Sequence, residues 1–212
     1  MTVIIDYGVG NLFSLKSSLA YLGEETVVTS DRKTIENAPR IILPGVGAFA
    51  DAAAKLRESG LDDVVKNVAK KGTPLLGICL GMQMLFDKSF EFGEHEGLGL
   101  IPGSVCPIAP VIGELKTPQM GWNALIFPKD KPKHPIFKYV NEGDHVYFVH
   151  SYAAMQCDAS VSALTEYGAL LTAAACRGNV CGTQFHPEKS GPVGLDILRA
   201  FSEFDPQSTK EV

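Results

Sequence analysis

Pro74-Leu75-Leu76-Gly77-Ile78-Cys79-Leu80-Gly81 is the stretch on which the reading of this chain turns. Its first five residues form an apolar run of strand length, and residues 80–86 continue with helical spacing. At the junction stands G-x-C-x-G, the pattern of a nucleophile elbow when a strand precedes it and a helix follows. Glycines on both sides of Cys79 permit a sharp turn in which side chains would collide. The turn pushes the thiol out at the carboxyl edge of a sheet. It also sets the sulfur at a helix N-terminus, where the macrodipole favours a thiolate.

Working outward, residues 2–6, 25–29 and 40–43 read as strands, and residues 11–22, 48–58 and 61–70 as helices. Leu12, Leu15, Leu19 and Leu22 recur at helical spacing, and Gly23 stands where a C-terminal cap belongs. This alternation predicts an α/β fold: an open, mixed, mostly parallel sheet flanked by helices. The second half differs. Residues 105–106, 124–127, 146–149, 161–164, 170–175 and 180–185 are strand-like with short connections, which predicts additional antiparallel strands. Residues 195–204 read as a closing helix. One domain is expected over residues 1–204, followed by a frayed polar tail over 205–212.

Composition narrows the function classes. The chain has 212 residues, with 19 Lys and Arg against 24 Asp and Glu, for a net charge of −5. Such a balance does not neutralise phosphates, so no nucleic-acid partner is expected. With 45% hydrophobic and 20% charged residues it is a globular chain. The most apolar long stretch, residues 98–112, is broken by Pro102, Gly103, Pro107 and Pro110, and falls short of the ~20 residues a membrane span needs. Asp6 interrupts the opening apolar run and the first basic residue is Lys16, which argues against a secretory leader. A cytoplasmic location follows as the default. The cysteines, Cys79, Cys106, Cys157, Cys176 and Cys181, form no C-x-x-C pair, and no histidine neighbours Cys176 and Cys181 in sequence. Neither a disulfide framework nor a zinc site is expected. No phosphate-binding G-x-x-x-x-G-K-[ST] loop is present.

A thiol nucleophile needs a base. His95 lies between Glu94 and Glu96 and reads as a solvated surface residue; His134, before Pro135, reads as a loop residue, and His145, after Gly143-Asp144, as a turn residue. His150 ends a strand. His186 follows an apolar strand ending at Phe185, and open α/β sheets build their sites at the carboxyl ends of strands. Glu188 lies two residues on and shares its face in extended chain. That suits the group that orients a catalytic imidazole.

The elbow and Gln184-Phe185-His186-Pro187-Glu188 together resemble the class I, or triad, glutamine amidotransferases. The resemblance implies Cys79 as nucleophile, His186 as base and Glu188 as its orienter, with L-glutamine as substrate and no metal or organic cofactor. Pro44-Gly45-Val46-Gly47 falls on the family's oxyanion strand, which implies Val46, Gly47 and Leu80 in the oxyanion hole. Gly45, Gln83, Glu91, His150, Ser151, Tyr152 and Asn11 are implied in holding glutamine. Residues 8–15, 116–123, 147–152 and 186–190 narrow the resemblance to the glutaminase subunits of imidazole glycerol-phosphate synthases, and it runs from about residue 3 to 201. Their partner is a (β/α)8-barrel cyclase. By that resemblance Trp122, Asn123, Tyr147 and Lys189 belong to the interface and the ammonia passage.

One departure carries its own expectation. Many members have Gly-Gly after the oxyanion-strand proline, whereas Val46 holds the second position here. A β-branched residue resists the positive φ that glycine accepts. The hole is therefore expected to be misaligned until the cyclase binds. Three other readings stand beside this one. Met120-Gly121-Trp122-Asn123 and Lys189 argue against the glutaminase of another synthase, such as anthranilate synthase. A partner requirement separates the chain from a cysteine peptidase or γ-glutamyl hydrolase. The intact Cys79, His186 and Glu188 argue against a non-catalytic binding subunit.

Overall fold

The computed structural model describes residues 1–206. The first part alternates: β1 (Thr2–Ile5), α1 (Leu12–Tyr21), β2 (Thr26–Thr29), α2 (Arg32–Glu36), β3 (Ile41–Leu43), α3 (Phe49–Glu58), α4 (Leu61–Lys70), β4 (Leu75–Ile78) and α5 (Leu80–Met84). The second part is mostly strands: β5 (Phe86–Ser89), β6 (His95–Glu96), β7 (Ile101–Pro107), β8 (Gln119–Ala124), β9 (His145–His150), β10 (Tyr152–Met155), β11 (Val161–Glu166), β12 (Leu170–Arg177) and β13 (Val180–Thr183). Helix α6 (Gly191–Ser202) closes the fold.

The main sheet has seven strands in the order β11-β12-β13-β4-β3-β1-β2. Pairing is parallel from β13 through β2 and antiparallel at β11-β12-β13. Alternate residues feed opposite faces. Val3, Ile5, Ile41, Leu43 and Leu75 pack on one side, and Ile4, Ile42, Leu76 and Ile78 on the other. A sheet buried on both faces explains why its strands are continuous apolar runs.

The structure adds to the sequence reading. Two smaller sheets, β10-β7-β5-β6 and β8-β9, stand apart from the main one. The elbow helix stops at Met84 rather than 86, because Phe86 enters β5 and pairs with Ile101. The strand expected over 124–127 lies earlier, at β8, and beyond it only Ile126 bridges to Leu164. Strand β13 ends at Thr183; Gln184 N–H still reaches Ala173 O at 2.8 Å, in register with β12, and the chain then leaves the sheet, with His186 N–H on Tyr147 O at 3.0 Å. Helix α2, not assigned from the sequence, is capped by Asp31, whose Oδ2 accepts from Thr34 N at 2.8 Å. Among the described residues no helix is long and apolar enough to cross a membrane. Of the expected tail, residues 207–212 lie outside the described residues.

Close backbone approach holds the elbow in place. A Cβ at Gly81 would sit 1.9 Å from Leu43 O; one at Gly45 would sit 2.7 Å from Gly81 N, and one at Gly77 would sit 2.7 Å from Gly81 O. Only hydrogen fits at these three positions. Gly81→Ala is expected to destabilise the fold by about 3 kcal/mol, the upper range for overpacking a core. Urea denaturation measures it, and an unchanged midpoint would mean that α5 can slide away from β3.

Candidate active site

Three neighbouring strand ends converge on one cleft. The end of β4 carries Cys79, the chain after β3 carries Val46 and Gly47, and the chain after β13 carries His186; all line a cavity of about 350 Å³. Cys79 has φ 54° and ψ −111°, a backbone conformation non-glycine residues rarely adopt, and its N–H is anchored to Thr183 O at 2.7 Å. This is the strained turn expected of an elbow. Helix α5 has five residues, so the field it adds at the sulfur is small.

His186 is buried on the same cleft as Cys79, and its Nδ1 lies 2.8 Å from Glu188 Oε1. Burial opposes a charged ring. Hydrogen bonds to Cys79 and Glu188, reinforced by the negative charge of both, outweigh it and raise His186 to about 9. Glu188 sits in a three-residue 3₁₀ turn that Pro187 opens, not in extended chain as the face argument assumed, yet the same pair meets.

Gln83, Glu91, His150, Ser151, Tyr152 and Leu80 also line the cleft. Glu91 reaches across 42 residues to accept the Phe49 N–H at 2.6 Å, which satisfies the first turn of α3 where Ala48 offers no cap. The ring nitrogens of His150 lie 2.9 Å from Tyr152 O and 2.9 Å from Gln119 Oε1, and burial pushes its pKa down to about 4, leaving it neutral. Two implied residues lie elsewhere. Asn11 caps α1, its Oδ1 accepting from Ser14 N at 3.5 Å, and with Gly45 it lines a small separate cavity behind His186 and Glu188. Tyr7 Oη donates to Pro44 O at 2.8 Å and holds the start of the oxyanion strand. Val46 is 41% exposed and keeps φ outside the left-handed region, while Gly47 takes +93°.

Trp122, Asn123, Tyr147 and Lys189 do not line the cleft. They gather beside it on the β8-β9 ribbon and the turn after His186. The Trp122 and Tyr147 rings meet edge-on at 6.1 Å, Lys189 Nζ stands 5.9 Å from the Tyr147 ring centre, and Asn123 Oδ1 accepts from Gln119 at 3.0 Å.

Other sequence readings need revision. His95 is half-buried and stacks on Phe49 at 6.4 Å, so it is not simply solvated. His134, 47 residues from Cys181 in sequence, brings its Nε2 within 3.9 Å of that sulfur and stands near Cys176 as well. Its Nδ1 accepts from Ile136 N at 3.4 Å, which leaves Nε2–H to face the sulfur. Sequence reasoning passed over Gln184 as a site residue. Its side chain is wholly buried, and Nε2 donates to Cys79 Sγ at 3.8 Å. Its place two residues before His186, at the strand end, was the available signal.

The interaction of His186 with Cys79 and Glu188 has a pH signature. Below pH 6.5 the ring is protonated in folded and unfolded chains alike, and the pairing contributes fully. As pH rises towards 9 the unfolded chain loses the proton while the folded ring keeps it, so the contribution declines and is lost through the folded value. Stability in urea is expected to fall between pH 6.5 and 9, and Glu188→Gln to flatten that fall. An identical slope in the variant would place its origin elsewhere.

Residues 3–203 match the family model "Glutamine amidotransferase class-I". The chain is 46% identical over 204 residues to imidazole glycerol phosphate synthase subunit HisH of Oceanobacillus iheyensis, covering 96% of this chain and 98% of the relative. It is 50% identical over 205 residues to the protein of that name from Carboxydothermus hydrogenoformans, covering 96% and 99%. Among solved structures, a glutamine amidotransferase superposes with a TM-score of 0.73 at 20% identity, covering 95% and 97% of the two chains. PurLQS from Thermotoga maritima gives 0.71 at 21% identity, with the same coverage. At that identity the two structures speak to fold alone. The fold, the strand-end cleft and the full-length similarity agree: the chain belongs to the class I glutamine amidotransferases and, within them, to the HisH subunits of imidazole glycerol phosphate synthase.

Proposed function

We propose that this chain hydrolyses L-glutamine to glutamate and ammonia and passes the ammonia to a cyclase subunit. The observation that carries the reading is a strained Cys79 that shares one cleft with a buried His186, itself paired to Glu188 at 2.8 Å. The Cys79 thiolate attacks the side-chain carbonyl carbon of glutamine, and the carbonyl π electrons move onto oxygen. The backbone N–H of Leu80, with one from the Val46–Gly47 segment, holds that oxyanion. His186, as imidazolium, protonates the leaving nitrogen; the C–N bond breaks, ammonia departs, and a thioester remains. Neutral His186 then takes a proton from water. The hydroxide adds to the thioester, the C–S bond breaks, and glutamate and the thiolate are restored. Glu188 keeps the ring oriented and its charge stabilised throughout.

Gln83, Glu91, His150, Ser151 and Tyr152 serve the amino-acid end of the substrate. Each lines the cleft, and Glu91 brings a carboxylate suited to an ammonium group. Gly45 contributes by letting the oxyanion strand touch the elbow. Asn11 holds the loop behind the pair at one remove.

The partner reading rests on surface chemistry and on the relatives. Met120 is 63% exposed and Trp122 52%, an apolar display beside the Tyr147–Lys189 pair and close to His186. Such a surface fits a docked (β/α)8-barrel cyclase that takes ammonia directly to make imidazole glycerol phosphate and aminoimidazole carboxamide ribotide. A cytoplasmic site of action accords with that role.

Glutamate release is expected to be low for the chain alone, to rise by at least tenfold with the cyclase and its nucleotide substrate, and to vanish in Cys79→Ala. Equal rates with and without the cyclase would overturn the coupling. A second prediction concerns the hole. Tyr7 and the Gly45–Gly81 contact fix the strand up to Gly45, and the next residue is the β-branched one. Val46→Gly is expected to raise turnover of the lone chain by ~10- to 100-fold, at most the lower end of the 10²–10³ that one oxyanion donor is worth. No rise in a variant with unchanged circular dichroism would refute the gate.

A further inference from the structure

The sulfur of Cys79 has a second polar neighbour besides His186. Gln184 Nε2 lies 3.8 Å from Sγ, and its side chain is wholly buried. The backbone around Gln184 is fixed on every side. Cys79 N–H binds Thr183 O at 2.7 Å, Gln184 N–H binds Ala173 O at 2.8 Å, and His186 N–H binds Tyr147 O at 3.0 Å.

The direction of the Gln184 amide follows from its neighbours. Gln83 Nε2 lies 3.0 Å from Tyr152 O and 3.0 Å from Gln184 Oε1. A backbone carbonyl can only accept, so the Gln83 group facing it must be the NH₂. The second hydrogen of that NH₂ then meets an acceptor, which is Gln184 Oε1. Flipping Gln184 would set NH₂ against NH₂ and leave a buried donor without a partner. The Gln184 nitrogen is thereby turned to the sulfur.

An N–H donor binds a thiolate more strongly than a thiol, because charge-assisted hydrogen bonds are the stronger ones. We propose that Gln184 is a catalytic hydrogen-bond donor to the Cys79 thiolate, held in that orientation by Gln83 and the Tyr152 carbonyl. It acts at both ends of the cycle. Before attack it helps hold the negative sulfur. When the thioester is hydrolysed, the C–S bonding pair returns to sulfur, and the same donor receives it. The short α5 leaves little helix dipole to do this work. The groups around the sulfur are His186 with Glu188 behind it, neutral His150 near the ring, and Tyr7, which burial and the neighbouring Cys79 keep protonated.

The proposal rests on Cys79 being the nucleophile, and its test uses neither glutamine nor a partner. Iodoacetamide alkylation of the intact chain at pH 7 is followed by mass spectrometry of the Cys79 peptide, with the half-exposed Cys106 as internal reference. Gln184→Met keeps length and apolar fit but removes the donor. It is expected to slow Cys79 alkylation about tenfold, the order expected for losing a hydrogen bond to a charged group, and to leave Cys106 unchanged. Gln83→Met frees the Gln184 amide to rotate and is expected to give a smaller loss. A purely structural effect has the opposite sign, since loosening the fold exposes the buried Cys79 and speeds its reaction. A folded Gln184→Met chain that alkylates Cys79 at the parent rate or faster overturns the donor role. A parent chain whose Cys79 reacts no faster than Cys106 overturns the nucleophile reading itself.

Discussion

The contact between Gly81 and the carbonyl of Leu43 is the constraint from which the rest follows. A methyl group there would overlap the carbonyl oxygen at 1.9 Å, so the first turn of α5 lies directly on the end of β3. That approach brings the oxyanion strand against the elbow. It also requires glycine at 45 and 77, whose added Cβ atoms would meet the same turn from two other directions. Cys79 takes its unfavourable φ of 54° because the chain must reverse between β4 and this contact. The reactive geometry is a result of packing, and the packing is backbone on backbone.

Around that fixed point the polar groups form a closed arrangement. Glu188 holds His186, Gln83 holds Gln184, and both held side chains neighbour Cys79. The two supports differ in kind. Glu188 is a carboxylate that stabilises a positive ring, while Gln83 is a neutral amide that settles which end of another amide points inward. Burial makes each orientation matter, because a misplaced donor would have no water to turn to.

Much of this was legible from residues alone. Strand–helix alternation through residue 84 except for α2, the elbow, and the His186–Glu188 pair all rest on local rules: apolar runs, glycine spacing, a histidine at a strand end. What escaped depended on contacts distant in sequence. The two smaller sheets arise from pairings such as Tyr152 with Pro107 and Gln119 with His150, which no local period announces. Gln184 looked like one more strand residue because its partners, Gln83 and Cys79, lie about a hundred residues away. His134 looked like an isolated loop residue for the same reason, although it packs against Cys181. The face argument for Glu188 reached the right pair by the wrong backbone, a 3₁₀ turn instead of extended chain.

The adjacency of β3, β4 and β13 has a consequence for how such a molecule can change. Strands in a sheet lie about 4.8 Å apart, and the oxyanion strand, the thiol and the imidazole each extend from one of three consecutive strands. The points from which these groups extend are thus spaced by the hydrogen-bond ladder. The opposite wall, from Glu91 and from His150 to Tyr152, hangs on the smaller sheets and has no such ruler. Selection or design could rewrite that wall to admit a different amide while the reacting atoms keep their spacing, much as a lathe keeps its bed when its jaws are exchanged.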